Sequence, residues 1–521
     1  MTSISLHTWV KAQSTLLTNA ASLIGTTAVT SVLGFVYWWV AARQFMPESV
    51  GVASASVSAM MLLGSLCMLG FGTLLITELP RQPGQEAALI STALIVVGSF
   101  GGCIGAVFAV VAPLLVPGFQ PLGASVIDVL VFASGVGLTA VTLVLDQALI
   151  GILRGGLQLW RNTFFAIAKL VLLFATSYWL AHKTGMVMYA TWAMGNALSL
   201  AFLLIVIACR GKKPVRAYLP QKGLLRKLGL AALQHHLLNL TLQAPVQALP
   251  IVVTAFLSAK MNAWFYVSWM IASFVFVVPT ALTTVLHAMN SAQPSTLAHK
   301  ACVTISLALI TSLLANCLLQ FDTKQVLGLF GHTYADQAEW CLRILALGAF
   351  PLIIKNHYIS IRRIQDRIAQ AMLSMLPGSL LELGGAALGA HFGGLAGLSL
   401  GWIVTICIES LFMFGTVYEV VRPGKPSTIL VQDTSEIQAI WLLETAIQPA
   451  LGQGYIGTEA LWLQDTTKLL AIKIHNKAIG TSYSATYMQE EGYEEAGRIA
   501  RLKPPQLQRY SDTTLVENRM R

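Results

Sequence analysis

Twelve apolar segments, each long enough to cross a lipid bilayer, fill most of residues 20–420 of this 521-residue chain. A helix needs about 20 mostly apolar residues to span the hydrocarbon core. Because lipid offers the backbone no hydrogen bonds, spanning segments form helices or closed barrels, and the short alternating segments of a barrel are absent from the sequence. We therefore predict an all-α polytopic membrane protein with about 12 transmembrane helices, at residues 20–42, 50–77, 87–116, 122–150, 163–182, 186–208, 228–257, 261–290, 299–320, 341–360, 371–391 and 394–420.

The charge content separates this membrane region from a polar tail. Charged residues make up 11% of the chain, against about a quarter in ordinary soluble proteins, which excludes a large soluble enzyme, a disordered chain and a coiled coil. Residues 1–421 carry 22 basic and 12 acidic residues, whereas residues 422–521 carry 11 of each. We predict a small cytoplasmic tail, either an α+β domain or a partly ordered partner-binding extension, and its zero net charge disfavours nucleic acid as a partner.

Basic residues are unevenly divided between the two sides of the predicted bundle. With the N-terminus in the cytoplasm, 17 lysines and arginines of the membrane region fall on the inner side and 5 on the outer side. Inner loops of membrane proteins are enriched in Lys and Arg. The sequence therefore predicts a multi-pass protein of the cell membrane with both termini in the cytoplasm.

The membrane region also contains an internal repeat. Six spans precede the basic loop and six follow it, and the halves align at an offset near 209, so that Ile150, Ile152 and Arg154 fall on Ile359, Ile361 and Arg363. We predict an N-terminal six-helix lobe (1–209), a basic cytoplasmic loop (210–227), a C-terminal six-helix lobe (228–421) and the tail (422–521). Since six is even, both lobes insert in the same direction, and parallel repeats of this kind occur in transporters with a substrate pathway between the lobes.

Several ionisable residues lie inside predicted spans, where a charge is costly and usually faces a cavity or a partner. We expect Asp146 and Lys169 to pair, because they lie at similar depth on neighbouring spans. At an offset of 209, Asp146 also falls on Lys355, which predicts equivalent positions of opposite charge. Glu382 and Glu409 lie near the midplane, where burial favours the protonated carboxyl. We predict substrate binding or ion coupling by these five residues; an ion pair that only orders the bundle is the alternative.

The seventh span carries a polar stripe that is unusual in lipid. Its members are His235, Asn239, Gln243 and Gln247, spaced four apart and therefore on one helix face. They line a cavity or form hydrogen bonds between helices. Metal binding by His235 and His236 is not expected, because adjacent helical residues point apart. With no HExxH, GxSxG or P-loop pattern, we predict no catalytic residues, no metal site, no cofactor and no enzymatic activity.

Local motifs give the chain a resemblance to a known family. They are GFVYWWVAARQFMPESVGVASA, LGFGTLLITELPR, DQALIGILRGGLQLWRN, VLGLFGHTYA and ISIRRIQDRIAQ, and the likeness covers roughly residues 18–421. The chain resembles the polysaccharide-export flippases of the multidrug/oligosaccharidyl-lipid/polysaccharide superfamily, of the O-antigen translocase type.

That resemblance implies a function and a set of partners. Members of the family have two six-helix lobes and turn lipid-linked oligosaccharides, usually on undecaprenyl pyrophosphate, from the inner to the outer leaflet by alternating access. The resemblance implies that Lys355, Lys169 or Arg43 meets the pyrophosphate. Coupling to H⁺ or to Na⁺ is left open. The resemblance also implies membrane lipid, lipid-linked sugar and glycan-assembly proteins as partners; the oligomeric state stays open.

Three alternatives are weighed against this resemblance, two other transporters and one membrane enzyme. A cation-coupled drug or metabolite antiporter of the same superfamily often carries an acidic residue in its first span, and residues 20–42 hold none. A major-facilitator transporter would carry a Gly- and Arg-rich loop between spans two and three, where this chain has LITELPRQPGQ. A membrane-embedded sugar polymerase or ligase generally needs a large outer loop, and the longest one here covers about 20 residues (321–340).

Overall fold

A computed structural model describes residues 3–180, 183–210, 230–291, 297–365 and 367–422. Within these ranges the chain forms α-helices and one 3-10 helix, with no strand, so the predicted all-α class is confirmed. The helices are α1 (Ser3–Gln44), α2 (Pro47–Leu66), α3 (Phe71–Glu78), α4 (Glu86–Leu115), α5 (Val126–Gly151), α6 (Gly155–Trp179), α7 (Gly185–Arg210), α8 (Leu230–Phe256), α9 (Ala259–Ser291), α10 (Leu297–Gly328), α11 (His332–Leu347), α12 (Ala349–Ile364) and α13 (Ile368–Val421), and the 3-10 helix covers Pro117–Gly123. The predicted tail, most of the basic loop and the side chain of His235 lie outside the described residues.

The last helix supplies two crossings. Eleven helical stretches among the described residues are long and apolar enough to span a membrane, and one of them is α13 with 54 residues. Its backbone leaves helical geometry at Gly393 and Gly394, and Gly394 has a φ of +57°. Beyond that point the chain runs back along itself: a Cβ on Gly389 would lie 2.1 Å from the carbonyl oxygen of Gly397. The helix is therefore a hairpin of two arms, which brings the crossings to the predicted twelve.

Two predicted spans are interrupted where a single helix was expected. The predicted span 50–77 divides into α2 and α3 because Leu69 and Gly70 both adopt positive φ, 50° and 83°. The predicted span 341–360 divides into α11 and α12 at Gly348, where a Cβ would lie 2.8 Å from the Trp402 ring. Glycine thus permits a turn in the first case and a close approach in the second.

The two lobes, α1–α7 and α8–α13, meet where α2 crosses α9. Asn262 donates from Nδ2 to the Gly51 carbonyl oxygen at 2.9 Å and to Ser54 Oγ at 3.0 Å. Gly51 lies so close to α9 that a Cβ there would overlap the Ala259 carbonyl oxygen. Residues 51–54 and 259–263 are equivalent in the repeat, and equivalent residues touch each other only at a two-fold axis. The contact is consistent with a two-fold axis that runs along the bundle between the lobes.

The α5–α6 corner and the α12–α13 corner match in detail, but not at the predicted offset. Arg154 and Arg367 precede α6 and α13 with nearly the same backbone angles, φ −110° and −104°, both with ψ 46°. Each donates its N–H to the carbonyl oxygen five residues back, Leu149 or Arg362, at 2.8 Å. Residues 154 and 367 stand 213 positions apart, so the offset of 209 is one helical turn short in this region.

The lobes are in contact at the end of the molecule where α1 terminates. Phe35 packs its ring against Phe274 and Phe330 of the second lobe, at centroid distances of 5.7 and 5.4 Å. Trp38 packs on Tyr266 at 4.6 Å. We call this the closed end, and we call the opposite end, where α5 meets α6, the far end.

Candidate functional site

A cavity of about 400 Å³ lies inside the second lobe, between α8, α9, α12 and α13. Its aromatic floor is formed by Trp269, Phe276 and Trp402, and the two indole rings meet edge to face at 4.8 Å. A row of hydroxyl and amide groups lines one wall and continues to two cationic or titratable residues near the far end: Thr280, Thr283, Thr284, Asn356, Ser360, His287 and Arg363.

The polar wall is held in place by hydrogen bonds between neighbouring helices. Asn356 Nδ2 donates to Thr280 Oγ1 at 3.3 Å, and Ser360 Oγ donates to the Thr283 carbonyl oxygen at 3.1 Å. Arg363 donates to Asn239 Oδ1 at 3.0 Å, which ties α12 to α8. The wall therefore presents preorganised donors and acceptors beside an apolar floor.

Three of the predicted site residues come together at the base of this cavity. Lys355 forms ion pairs with Glu382, on the first arm of α13, and with Glu409, on the second arm; the latter pair is 2.8 Å long. Trp402 Nε1 donates to the second oxygen of Glu382 at 2.8 Å. All three charged residues are buried, and the structure brings them together as one lysine and two carboxylates.

The hairpin of α13 explains how two carboxylates reach one ammonium. Gly385 and Gly401 approach so closely that a Cβ on Gly401 would lie 2.1 Å from the Gly385 carbonyl oxygen. A second close approach occurs at Gly378, where a Cβ would lie 2.7 Å from Glu409 Cδ. Small residues thus bring the arms together and leave room for the carboxyl group of Glu409.

The cluster has no free carboxylate to offer a cationic ligand. Both glutamates contact Lys355, and the three groups carry a net charge of −1 when all are ionised. A buried charge is costly unless it is paired and hydrogen-bonded. Glu409 Oε1 has no hydrogen-bond partner among the described residues.

Asp146 does not pair with Lys169, and that expectation is wrong. Its carboxylate accepts two hydrogen bonds from Arg161 Nη2, at 2.8 and 2.9 Å, and one from Arg161 Nε at 3.1 Å. Asn162 Nδ2 adds a fourth at 3.1 Å. The planar guanidinium suits a carboxylate better than an ammonium does, and Arg161 lies on the same helix as Lys169 but two turns closer to the far end.

Lys169 is instead enclosed by aromatic rings. Its Nζ lies 3.5 Å from the ring centroid of Trp192, 4.7 Å from that of Phe165 and 5.4 Å from that of Tyr37. Lys169 is 4% exposed, and the described residues give it no salt bridge. We call these three rings and the lysine the aromatic box.

The predicted reversal of charge between the lobes does occur, but at a different pair of residues. At the corner offset of 213, Asp146 matches Ile359 and Lys355 matches Thr142, so the predicted equivalence is wrong by one turn. Lys169 and Glu382 are each the fifteenth residue after the matching arginines 154 and 367.

The tryptophan that contacts each of these two charged residues is also matched between the lobes. Trp192 lies seven residues after Gly185, where α7 begins, and Trp402 lies seven residues after Leu395, where the second arm of α13 begins. Trp192 contacts Lys169 and Trp402 contacts Glu382. The same tryptophan–charge contact is thus built in both lobes, with opposite sign.

The remaining predicted residues lie elsewhere. Arg43 is at the closed end, where its Nε donates to the Leu329 carbonyl oxygen at 2.7 Å. Asn239 meets Arg363 beside the cavity. Gln243 is exposed and Gln247 half-buried, and neither lines this cavity.

The prediction missed the aromatic floor and the hydroxyl wall. The wall could have been predicted from the sequence. One face of α9 carries four polar residues at helical spacing, Thr280, Thr283, Thr284 and His287. The floor had no such signal, because its rings come from two helices far apart in sequence. No group of three metal-binding side chains occurs among the described residues.

No sequence profile of a known protein family matches this chain, and no curated protein matches it. Solved structures do. The chain is similar to a multidrug-resistance MATE family transporter of the MOP superfamily in its inward-facing conformation, with 15% identity over 77% of this chain and 99% of that one and a TM-score of 0.59. For an outward-facing MATE family transporter the values are 14%, 78%, 96% and 0.52.

A third similar structure is a MOP superfamily transporter from Pyrococcus furiosus Vc1, described as having a binding pocket of reversed polarity. It is 15% identical over 78% of this chain and 95% of that one, with a TM-score of 0.55. At these identities the comparison establishes the fold: the described helices adopt the two-lobed arrangement of MOP superfamily transporters.

Proposed function

We propose that this protein is a membrane transporter that moves an oligosaccharide linked to polyprenyl pyrophosphate from the inner to the outer leaflet of the cell membrane, for the assembly of a surface polysaccharide. The observation that carries the proposal is the cavity of the second lobe, with its aromatic floor, hydroxyl wall and Arg363. The fold shared with solved transporters and the family motifs of the sequence support the same reading.

The chemistry of the cavity suits a phosphorylated sugar. Binding pockets combine apolar and aromatic surface with a few placed polar groups, and here Thr280, Thr284 and Asn356 offer both donors and acceptors to sugar hydroxyls. Arg363 presents the planar fork of donors that matches phosphate oxygens. The indole faces of Trp269 and Trp402 offer apolar surface to a sugar ring. A lipophilic cation would suit this cavity less well. It would meet the Arg363 guanidinium at one end and, at the other, carboxylates that are already paired with Lys355.

The packing of the lobes supports alternating access. They are in contact at the closed end through α1, and the resemblance to the inward-facing MATE structure exceeds that to the outward-facing one in TM-score, 0.59 against 0.52. Lobes related by an axis along the bundle can rock about the α2–α9 crossing. With both termini in the cytoplasm, the described state would receive its substrate from the inner leaflet.

A flipping assay tests the proposal. The protein is reconstituted into liposomes with a fluorescent polyprenyl-pyrophosphate sugar, and a membrane-impermeant reductant bleaches only the outer leaflet. We expect Arg363→Met to slow flipping about 10–100-fold, because a hydrogen bond to a charged group contributes about 1.5–3 kcal/mol. Thr280→Val with Thr284→Val should slow it as well.

Arg81→Ala is the matched control for this assay. This variant also removes one arginine from the far end, but Arg81 is exposed and its ion pair with Glu78 is 3.6 Å long. Its variant should flip the lipid at the wild-type rate. Equal rates for Arg363→Met and the wild type would overturn the assignment of the cavity.

The alternatives give different results in the same vesicles. A cation-coupled antiporter would release a preloaded lipophilic cation against an imposed proton or sodium gradient and leave the lipid-linked sugar unmoved. A sugar polymerase or ligase would lengthen the saccharide, which mass spectrometry of the extracted lipid would detect. We expect neither outcome.

The orientation is tested separately. Arg216→Cys in the predicted cytoplasmic loop should resist an impermeant thiol reagent added to intact cells and react after permeabilisation. Labelling of this cysteine from outside the cell would reverse the proposed topology and the direction of transport.

A further inference from the structure

Lys169 has a buried amino group that the described residues leave without an acidic partner. Its surroundings are the three rings of the aromatic box, and Trp192 is nearest at 3.5 Å. Aromatic faces attract a cation, but they do not replace the hydrogen bonds that water gives to an ammonium. A charged lysine in such a place is therefore costly until water or an anion reaches it.

The box is completed by a contact between the lobes. Trp38 packs against two of its rings, Tyr37 at 5.3 Å and Trp192 at 6.3 Å. On its other side Trp38 packs on Tyr266 of the second lobe at 4.6 Å. Parting of the lobes at the closed end would remove Tyr266 from Trp38 and open a route for water to Lys169.

The rings are held in position independently of the lysine. Tyr37 donates its hydroxyl to the Met188 carbonyl oxygen at 3.1 Å and is hydrogen-bonded to Thr191 at 2.8 Å. These contacts join α1 to α7 within the first lobe. The box is therefore a built enclosure whose cover alone depends on the other lobe.

Among the described residues, the titratable groups on the neighbouring helices are tyrosines and a carboxylate that is already paired. On α1 the nearest is Tyr37, and on α7 it is Tyr189, whose hydroxyl donates to the Phe132 carbonyl oxygen. On α5 it is Asp146, which Arg161 of α6 already neutralises. Tyr266 of α9 lies behind Trp38. The acidic cluster of the second lobe is occupied by Lys355.

We propose that Lys169 is the proton-binding site of the transport cycle: it is uncharged while Tyr266 and Trp38 close the box, and it takes a proton from the water that enters when the lobes part at the closed end. As the box closes again, the proton leaves Lys169 with the departing water. The proposal rests on transport by alternating access.

Distance measurements between the lobes test it without any substrate. Spin labels are placed on Val126→Cys and Phe321→Cys, which are 76% and 86% exposed on different lobes, in a full-length protein whose native cysteines are replaced. In lipid nanodiscs we expect the ratio of parted to closed molecules to rise about tenfold per pH unit at most as the pH falls, because one proton is bound.

Two substitutions of Lys169 give the decisive results. Lys169→Met, which is always neutral, should stay closed at every pH, and Lys169→Arg, which is always charged, should stay parted. Lys260→Met is the control, since Lys260 also lies over a tryptophan, at 5.5 Å from Trp264, but is exposed; it should keep the wild-type pH dependence.

The outcomes that would overturn the proposal are specific. They are a wild-type pH dependence in Lys169→Met, or a shift of both Lys169 variants in the same direction, as loss of packing would give. Loss of the pH response in Glu382→Gln with Glu409→Gln instead would move the proton site to the second lobe. If the lobes respond to pH through Lys169 while the lipid-linked sugar is not flipped, the proposed function fails and the proton site stands.

Discussion

Equivalent positions in the two lobes, Lys169 on α6 and Glu382 on α13, carry opposite charges in different surroundings. In the first lobe Lys169 is alone among aromatic rings, and its enclosure reaches the other lobe through Trp38. In the second lobe Glu382 belongs to a cluster with Lys355 and Glu409, closed within a single hairpin. The first site is sensitive to how the lobes meet, whereas the second is sealed by its own lobe. The two copies of the repeat thus share a geometry but differ in the charge at this position and in what surrounds it.

The largest effect should come from breaking the cluster. Lys355→Met leaves two buried carboxylates facing each other, and removal of one partner from a buried ion pair costs about 3–5 kcal/mol. We expect a markedly lower midpoint of thermal unfolding in detergent. Adding Glu382→Gln and Glu409→Gln should restore much of it, and a Lys355→Met protein as stable as the wild type would refute a sealed cluster.

A methyl group at Gly378 should have the next largest effect. In Gly378→Ala the new Cβ would lie 2.7 Å from Glu409 Cδ, and overpacking costs about 1–3 kcal/mol. The matched control is Gly384→Ala on the same arm, where a Cβ meets nothing within 4 Å and the helix gains up to about 1 kcal/mol. Opposite shifts of the unfolding midpoint are expected; equal shifts would contradict the close packing at Glu409.

The two matched tryptophans provide a direct test of the comparison. Trp402→Phe removes the donor to Glu382, at a cost of about 1.5–3 kcal/mol for a bond to a charged group. Trp192→Phe keeps a ring face for Lys169 and removes an indole N–H that has no hydrogen-bond partner among the described residues, so its cost should be smaller. Unfolding in detergent measures both, and an equal loss would show that the two contacts do not differ in kind.

The smallest effect is expected at the closed end. Arg43 and Trp39 both donate to the Leu329 carbonyl oxygen, at 2.7 and 2.9 Å. In Arg43→Ala the lobes should part a few-fold more often, because an exposed hydrogen bond contributes only about 0.5–1.5 kcal/mol. The distance measurement between labels on residues 126 and 321 reads this out, and Arg43→Lys should behave nearly as the wild type.

Hydropathy and repetition were enough to predict twelve crossings and the two-lobed helical fold, because lipid imposes both length and polarity on each span. They also selected Lys355, Glu382 and Glu409, since a charge in an apolar helix stands out. They could not fix the register of the repeat. A shift of four residues is close to one helical turn, so the apolar faces still match, and only the backbone at Arg154 and Arg367 shows the difference.

The sequence could not predict which residues contact the buried charges, and the reason is a different one. Asp146 was the acidic residue predicted to lie at the same depth as Lys169. Arg161 lies on the same helix as Lys169, and its longer side chain pairs with Asp146 instead. The box around Lys169 draws its rings from α1, α6 and α7, and no spacing in one segment reveals such a set. The cavity floor is hidden in the same way, whereas the threonines of α9 were readable.

The meeting of residues 51–54 with residues 259–263 on the axis has an evolutionary consequence. In a dimer of identical subunits arranged about the same axis, every position would occur twice with the same residue, so a lysine in one copy would require a lysine in the other. Joining the copies in one polypeptide removes that constraint and lets mutation act on each separately. The asymmetry of charge at residues 169 and 382 is therefore open to a fused chain, whereas a single-lobe homodimer with the same fold could not possess it.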